Sequence, residues 1–320
     1  MALLSIGTLI NISMMIILCI GFTFTYMMEG FLNFSQVSYA SMGALVSFYL
    51  TRIIGLNPYF TWPFSALVGG MIGLMLYIGV VRPIKRNGGS QEITLTLVFL
   101  VIAQVIPSFA YIFNYWAHYA LGTPTQGYNL RAYDFNWNGF SGISIMSVVS
   151  CVTLVVMLHY FLRKTRTGIS LRATSENEGL AATIGVNTFR AHCTSWFIAG
   201  ALSALAGSII TINRGMGVSG PDDSLIINVM SGAVFGGLYS IYGAILGGIF
   251  VAVAQDILKN LLYAVFGLPV LKWQSLMPLG LLLTVLTIFP NGISGGYGQI
   301  FQGIRRLVSK TVKFFENKSL

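Results

Sequence analysis

The sequence predicts an all-α, polytopic membrane protein of about nine spans, between eight and ten. Three observations carry that prediction. Of the 320 residues, 55% are hydrophobic and only 8% are charged, and the mean hydropathy is +0.77. Soluble domains carry about 25% charged residues, so this chain could not cover a soluble surface. Uncharged apolar runs recur along it, close to the ~20 residues that cross a ~30 Å hydrocarbon core. Glycine is abundant, with 36 residues, which suits helices whose backbones approach closely. Cys19, Cys151 and Cys193 lie in or beside apolar runs, as buried thiols do, rather than in a disulfide framework.

The runs fall at about 4–27, 35–51, 59–81, 93–113, 143–162, 193–212 and 274–290. The first has no basic residue before it and no small-residue cleavage site behind it, so it reads as a retained helix rather than a signal peptide. The stretch Ser224 to Gln255 holds 32 residues without a charge and is broken by Gly236-Gly237 and Gly243. One tilted helix or two short ones fit its hydropathy, and the charges decide. With two short helices joined near 237–241, thirteen of the eighteen Lys and Arg fall on one side, including Arg82, Lys85, Arg163, Arg172, Arg190 and the basic tail. Basic residues collect on the cytoplasmic side, which places the N-terminus outside and the C-terminus inside. The net charge of +9 therefore reports orientation, and no nucleic-acid partner is expected.

No soluble domain interrupts this pattern. Residues 1–300 read as a single transmembrane domain containing a cytoplasmic loop, 163–192. The tail, 301–320, mixes Arg305, Arg306, Lys310 and Lys313 with Phe301, Phe314 and Phe315, as a basic amphipathic segment on the inner lipid surface would. An outer loop at about 114–142 is rich in aromatics, and Trp116, Tyr128 and Trp137 read as interface residues.

Catalytic patterns are missing. His118, His159 and His192 lie in separate segments without zinc spacing, no Ser occupies a Gly-x-Ser-x-Gly elbow, and no Walker sequence occurs. Glu29, Glu92 and Asp256 sit at the ends of the apolar runs. The sequence thus predicts neither an enzyme nor a cofactor or metal site.

The inner loop is the informative segment. Ser175 and Glu178 stand in capping-box spacing, and Gly185 is placed to end a helix, which predicts a short helix over 174–185. Leu180, Ala181 and Ile184 would share its apolar face. Two readings stand: a helix lying among lipid headgroups, or a ridge that docks in the groove of a soluble partner.

Polar groups inside the spans mark a candidate path. Asn33, Gln36, Ser38 and Ser41, with Ser35 between them, place amides and hydroxyls in an apolar run, and Gln104 and Asn228 are lesser candidates. Interhelical hydrogen bonding explains any one of them equally well. Gly236 and Gly237, where two helices meet, would leave irregular backbone that is tolerated only in protein or beside a wet cavity. The four-residue pairs Gly69/Gly73, Gly232/Gly236 and Gly243/Gly247 read as close helix packing.

At the level of motifs, Thr167-Gly-Ile-Ser-Leu-Arg-Ala173, Glu178-Gly-Leu-Ala-Ala-Thr-Ile-Gly-Val-Asn187 and Phe197-Ile-Ala-Gly-Ala-Leu-Ser-Ala-Leu-Ala-Gly207 resemble the inner-membrane permeases of bacterial and archaeal ABC importers for branched-chain amino acids. Leu32–Ala44, Arg82-Pro-Ile-Lys85, Gly236–Gly248 and Phe289–Ile293 agree in order along the chain. Permeases for urea, short amides, ribose and nucleosides look similar. Gln36 and Val37 stand where the family usually carries His or Gly, and Tyr239 and Tyr242 bracket a turn where smaller residues are common. The resemblance implies a permease subunit that pairs with a second permease subunit, receives ligand from an extracytoplasmic solute-binding protein and is driven by separate ATP-binding cassette ATPases. It makes the 174–185 segment the coupling helix, with Glu176, Glu178, Gly179, Leu180, Ala181, Ile184 and Gly185 at the ATPase contact. An ATP-independent channel or facilitator is the alternative outside that class.

Overall fold

The computed structural model describes residues 6–88, 92–122, 127–137, 140–217, 224–267 and 276–288. The basic tail at 301–320, Phe289–Ile293 and Lys272 lie outside the described residues. Seven helices are long and apolar enough to cross a membrane, and two shorter apolar helices accompany them. The chain is thus an all-α multi-pass membrane protein.

The apolar runs become α1 (Ile6–Glu29), α2 (Tyr39–Tyr49), α3 (Pro58–Leu76), α5 (Glu92–Leu121), α6 (Gly142–Lys164) and α9 (Thr188–Asn213). A π-helical turn, Tyr77–Val81, joins α3 without a break to α4 (Arg82–Arg86). The inner loop folds as α7 (Arg166–Glu176) and α8 (Glu178–Thr183). The uncharged stretch divides into α10 (Ser224–Gly236) and α11 (Ile241–Phe266), and α12 (Leu276–Ile288) follows.

One expectation about length is corrected. The break near 237–241 is present, with Gly237 at φ +99° in the turn, but only α10 is short. α11 runs 26 residues, through and beyond Gln255, because Asp256 and Lys259 do not end a helix whose apolar face continues. Asp256 therefore lies within a span rather than at its end.

The aromatic loop is also corrected. α5 continues to Leu121, so Trp116 is helical and exposed, whereas Tyr128 is fully buried. Tyr128 lies in β1 (Gly127–Tyr128), which pairs antiparallel with β4 (Met216–Gly217), while β2 (Asn136–Trp137) pairs with β3 (Phe140–Ser141). The side chain of Trp137 lies outside the described residues. Asp134 ties this loop down by accepting hydrogen bonds from Tyr59, Ser141 and the backbone N–H of Ile143.

Small residues let α9 sit at the centre. It packs against α1, α2 and α3, and a Cβ added at Gly200 would lie 2.2 Å from the Gly69 carbonyl oxygen. α10 and α11 cross in the same manner: a Cβ at Gly236 would stand 2.0 Å from the Gly243 carbonyl oxygen, and one at Gly247 would stand 1.9 Å from that of Gly232. The spacing read from the sequence is a pair of backbone-to-backbone crossings. Gly236→Ala should force α10 from α11 and cost about 1–3 kcal/mol, read as earlier thermal unfolding of the detergent-solubilised protein. Gly280→Ala, with open space around it, should leave that temperature unchanged.

Candidate functional site

One end of the helical body collects the termini of α1, α4, α6 and α9, and the α7–α8 hairpin covers them. Its geometry follows from local capping. Thr165 opens α7 by accepting from Gly168 N–H (3.1 Å), and Asn177 opens α8 by accepting from Leu180 N–H (2.9 Å). Gly185, at φ +85°, turns the chain out of α8, and Asn187 opens α9 by accepting from Arg190 N–H (3.0 Å).

The expected cap at Ser175 is corrected. Ser175 belongs to the last turn of α7, where its hydroxyl donates to the Arg172 carbonyl (2.8 Å). The predicted single helix over 174–185 is two helices with Asn177 as the hinge. Leu171 and Thr174 of α7 and Ala181 of α8 are buried. Ala181 therefore faces the protein and does not share the exposed face with its neighbours. Leu180 and Ile184 are 65% and 71% exposed and stand beside exposed Glu176, Gly179 and Gly185.

The hairpin is tied to the spans by a polar cluster that sequence reasoning missed. The carboxylate of Glu29, at the end of α1, is buried. Its Oε1 lies 2.7 Å from His192 Nδ1 and accepts from Trp196 Nε1–H at 2.9 Å, and its Oε2 pairs with Lys85 Nζ at 2.5 Å. The opposite nitrogen of the same imidazole, Nε2, lies 3.1 Å from Glu178 Oε1 on α8. Tyr77 stacks on the His192 ring at 5.4 Å, and Arg82 lies 4.4 Å over Phe189. One imidazole thus bridges the hairpin to α1, and through Lys85 to α4. The available signal was a lone carboxylate and a lone lysine at the ends of two apolar runs assigned to the same side.

The polar residues of the second span form a hydrogen-bonded fold-back ahead of α2. The chain folds back at Asn33, whose side chain accepts from Ser35 N–H (3.1 Å) and Ser35 O–H (2.8 Å). Asn33 Nδ2 donates to Gln36 Oε1 (3.3 Å), and Gln36 Nε2 donates to Ala199 O (2.9 Å) and Ser203 Oγ (2.5 Å) on α9. Ser38 donates to the Ala103 carbonyl of α5 (2.8 Å), and Ser41 donates to the Ser38 carbonyl (2.6 Å). All four predicted residues are buried and hydrogen-bonded; Gln36 fastens the turn before α2 to α9, and Ser38 fastens it to α5. Gln104 is exposed on α5, in an apolar groove with Val101, Val105 and Phe109. Gly236 is a packing contact and Gly237 a turn. Asn228 alone lines a polar cavity, at the opposite end from the hairpin, where its side chain accepts from Gln255.

Fold and hairpin together define a class: a multi-pass helical membrane protein whose exposed cap is bolted to the span ends. Residues 4–286 match the family described as branched-chain amino acid transport system / permease component, and the chain belongs to that family. A probable branched-chain amino acid transport permease protein LivH of Methanocaldococcus jannaschii is 30% identical over 291 residues, covering 90% of this chain and 91% of that one. The high-affinity branched-chain amino acid transport system permease protein LivH of Escherichia coli K12 is 23% identical over 291 residues, covering 87% and 90%. BraD of Pseudomonas aeruginosa, a permease protein of the same system, is 25% identical over 296 residues, covering 87% and 91%.

Proposed function

We propose that this chain is the membrane-spanning permease subunit of an ABC importer. It translocates branched-chain and other hydrophobic amino acids received from an extracytoplasmic solute-binding protein, and it works as one of a pair of permease subunits driven by two separate ATPases. The observation that carries the reading is the α7–α8 hairpin. Leu180 and Ile184 are exposed on a rigidly capped turn, and Glu178 of the same turn is linked through His192 to the buried Glu29. An apolar ridge held in that way fits a groove in a partner and passes its displacement to the spans.

Charge supports the orientation. Among the described residues, eight of twelve Lys and Arg lie at the hairpin end: Arg82, Lys85, Arg86, Arg163, Lys164, Arg166, Arg172 and Arg190. That end is therefore cytoplasmic, with the N-terminus outside and the C-terminus inside.

Reconstitution tests the reading. Vesicles holding the permease with its ATPases and binding protein should accumulate labelled L-leucine only when ATP is supplied on the hairpin side. Leucine flux through the permease alone, or accumulation that ignores ATP, would replace the importer with a facilitator.

A further inference from the structure

A polar cavity lies at the outer end, with Asn228 in its wall. It measures about 130 Å³ and lies between α1, the end of α9, α10, α11 and α12. Three charged side chains line it: Arg214 from the end of α9, and Asp256 and Lys259 from α11. α1, α10 and α12 add no charge to it; Asn228 of α10 and Gln255 of α11 form a hydrogen-bonded amide wall. Met15, Leu225 and Met277 form the apolar part.

Two features make these charges unusual. Asp256 and Lys259 fall inside the candidate span Ile241–Ala264, where ionisable groups are costly and mark functional positions. Among the described residues, Asp256, Lys259 and Arg214 form no ion pair or side-chain hydrogen bond with one another or with any other group. Both signs of charge thus line one small space, with no partner for any of the three among the described residues.

We propose that this cavity is the outer-side holding site for a zwitterionic amino acid with an apolar side chain. The proposal rests on the permease reading above and places the substrate on named residues. Asp256 accepts from the α-ammonium, Arg214 and Lys259 hold the α-carboxylate, and Met15, Leu225 and Met277 surround the side chain. A simple anion would meet Asp256, and a simple cation would meet Arg214 and Lys259. A ligand carrying both charges satisfies all three.

The test is ligand protection of a cysteine at the cavity wall, in the full chain embedded in lipid nanodiscs. Ser224, which lines the cavity, is changed to Cys in a Cys193→Ser background; Cys19 and Cys151 are buried. Modification by a charged methanethiosulfonate is timed with L-leucine, with 4-methylpentanoate, which lacks the ammonium, and with 3-methylbutylamine, which lacks the carboxylate. L-Leucine should slow labelling at lower concentration than either fragment. Adding Asp256→Asn should raise the protecting concentration of leucine by about tenfold or more, the worth of one charge-assisted hydrogen bond, and move that of 4-methylpentanoate less. Lys259→Met should do the reverse, weakening leucine and 4-methylpentanoate together. Labelling that no L-amino acid slows, or protection indifferent to both substitutions, overturns the site. Vesicle uptake reads separately: ATP-driven leucine uptake without protection sinks the site alone, and protection without uptake sinks the importer reading.

Discussion

Replacing Leu180 and Ile184 together with Asp should abolish ATP-driven uptake while leaving the permease folded. Both side chains are more than half exposed, so the folded chain loses little, and surface changes of this kind stay within about 0.5 kcal/mol. A groove that receives the ridge loses far more. Apolar anchors at the centre of an interface cost about 2 kcal/mol or more each when removed, and the new carboxylates must also be desolvated there. Two such losses amount to about a thousandfold in affinity. The measurement has three parts: the circular dichroism spectrum and elution profile of the purified permease, ATPase retained on co-purification, and leucine uptake per ATP hydrolysed. The expected pattern is an unchanged spectrum with the other two lost. Retained ATPase and full uptake would leave the hairpin as a headgroup-level helix. Ala181→Asp marks the contrast. Ala181 is buried against the protein, so that change should disturb α8 itself and show in the stability of the permease before any partner is added.

The hairpin also shows what was legible in the sequence and what was not. The spans were legible because hydropathy needs no partner: a run that cannot be wetted must be buried in lipid or protein. The glycine pairs were legible as packing because four-residue spacing puts small residues on one face. The cap was not. Ser175 and Asn177 are both good cap residues, and the choice between them depends on where α7 starts. Thr165 fixes that upstream, and burial of Leu171 carries the helix through Ser175. The fold-back at Asn33 was hidden for a related reason. Amides in an apolar run serve a pore or one another equally well, and the approach of Ala199 and Ser203 to Gln36 is a contact that only the fold reveals. Asp256 is not legible as a mid-span charge because the first charge after an apolar run reads as its end, whereas α11 continues ten residues beyond it to Phe266.

Glu29→Gln should damage both stability and coupling, and the two effects can be separated. The substitution keeps the shape of the side chain and an oxygen that can still accept from Trp196 Nε1–H. It removes the charge that faces Lys85 and His192 at 2.5 and 2.7 Å. Breaking a buried ion pair costs about 3–5 kcal/mol. Lys85 keeps 30% of its side chain exposed and can rehydrate, so the lower end, about 3 kcal/mol, is expected. Thermal unfolding of the solubilised protein reads that loss. Coupling is read as leucine moved per ATP hydrolysed in reconstituted vesicles. It should fall because α8 reaches α1 through the path Glu178–His192–Glu29. Glu178→Gln isolates this second effect. Glu178 is 54% exposed, so its replacement should leave the unfolding temperature within about 1 °C, in line with a surface pair worth at most ~1 kcal/mol, yet still lower the coupling ratio. In the double substitution the coupling losses should not add, because both break one chain of contacts. Additive losses, or a Glu178→Gln variant that transports as the parent does, would show that the hairpin moves the spans by another route, with the Glu29 cluster serving stability alone.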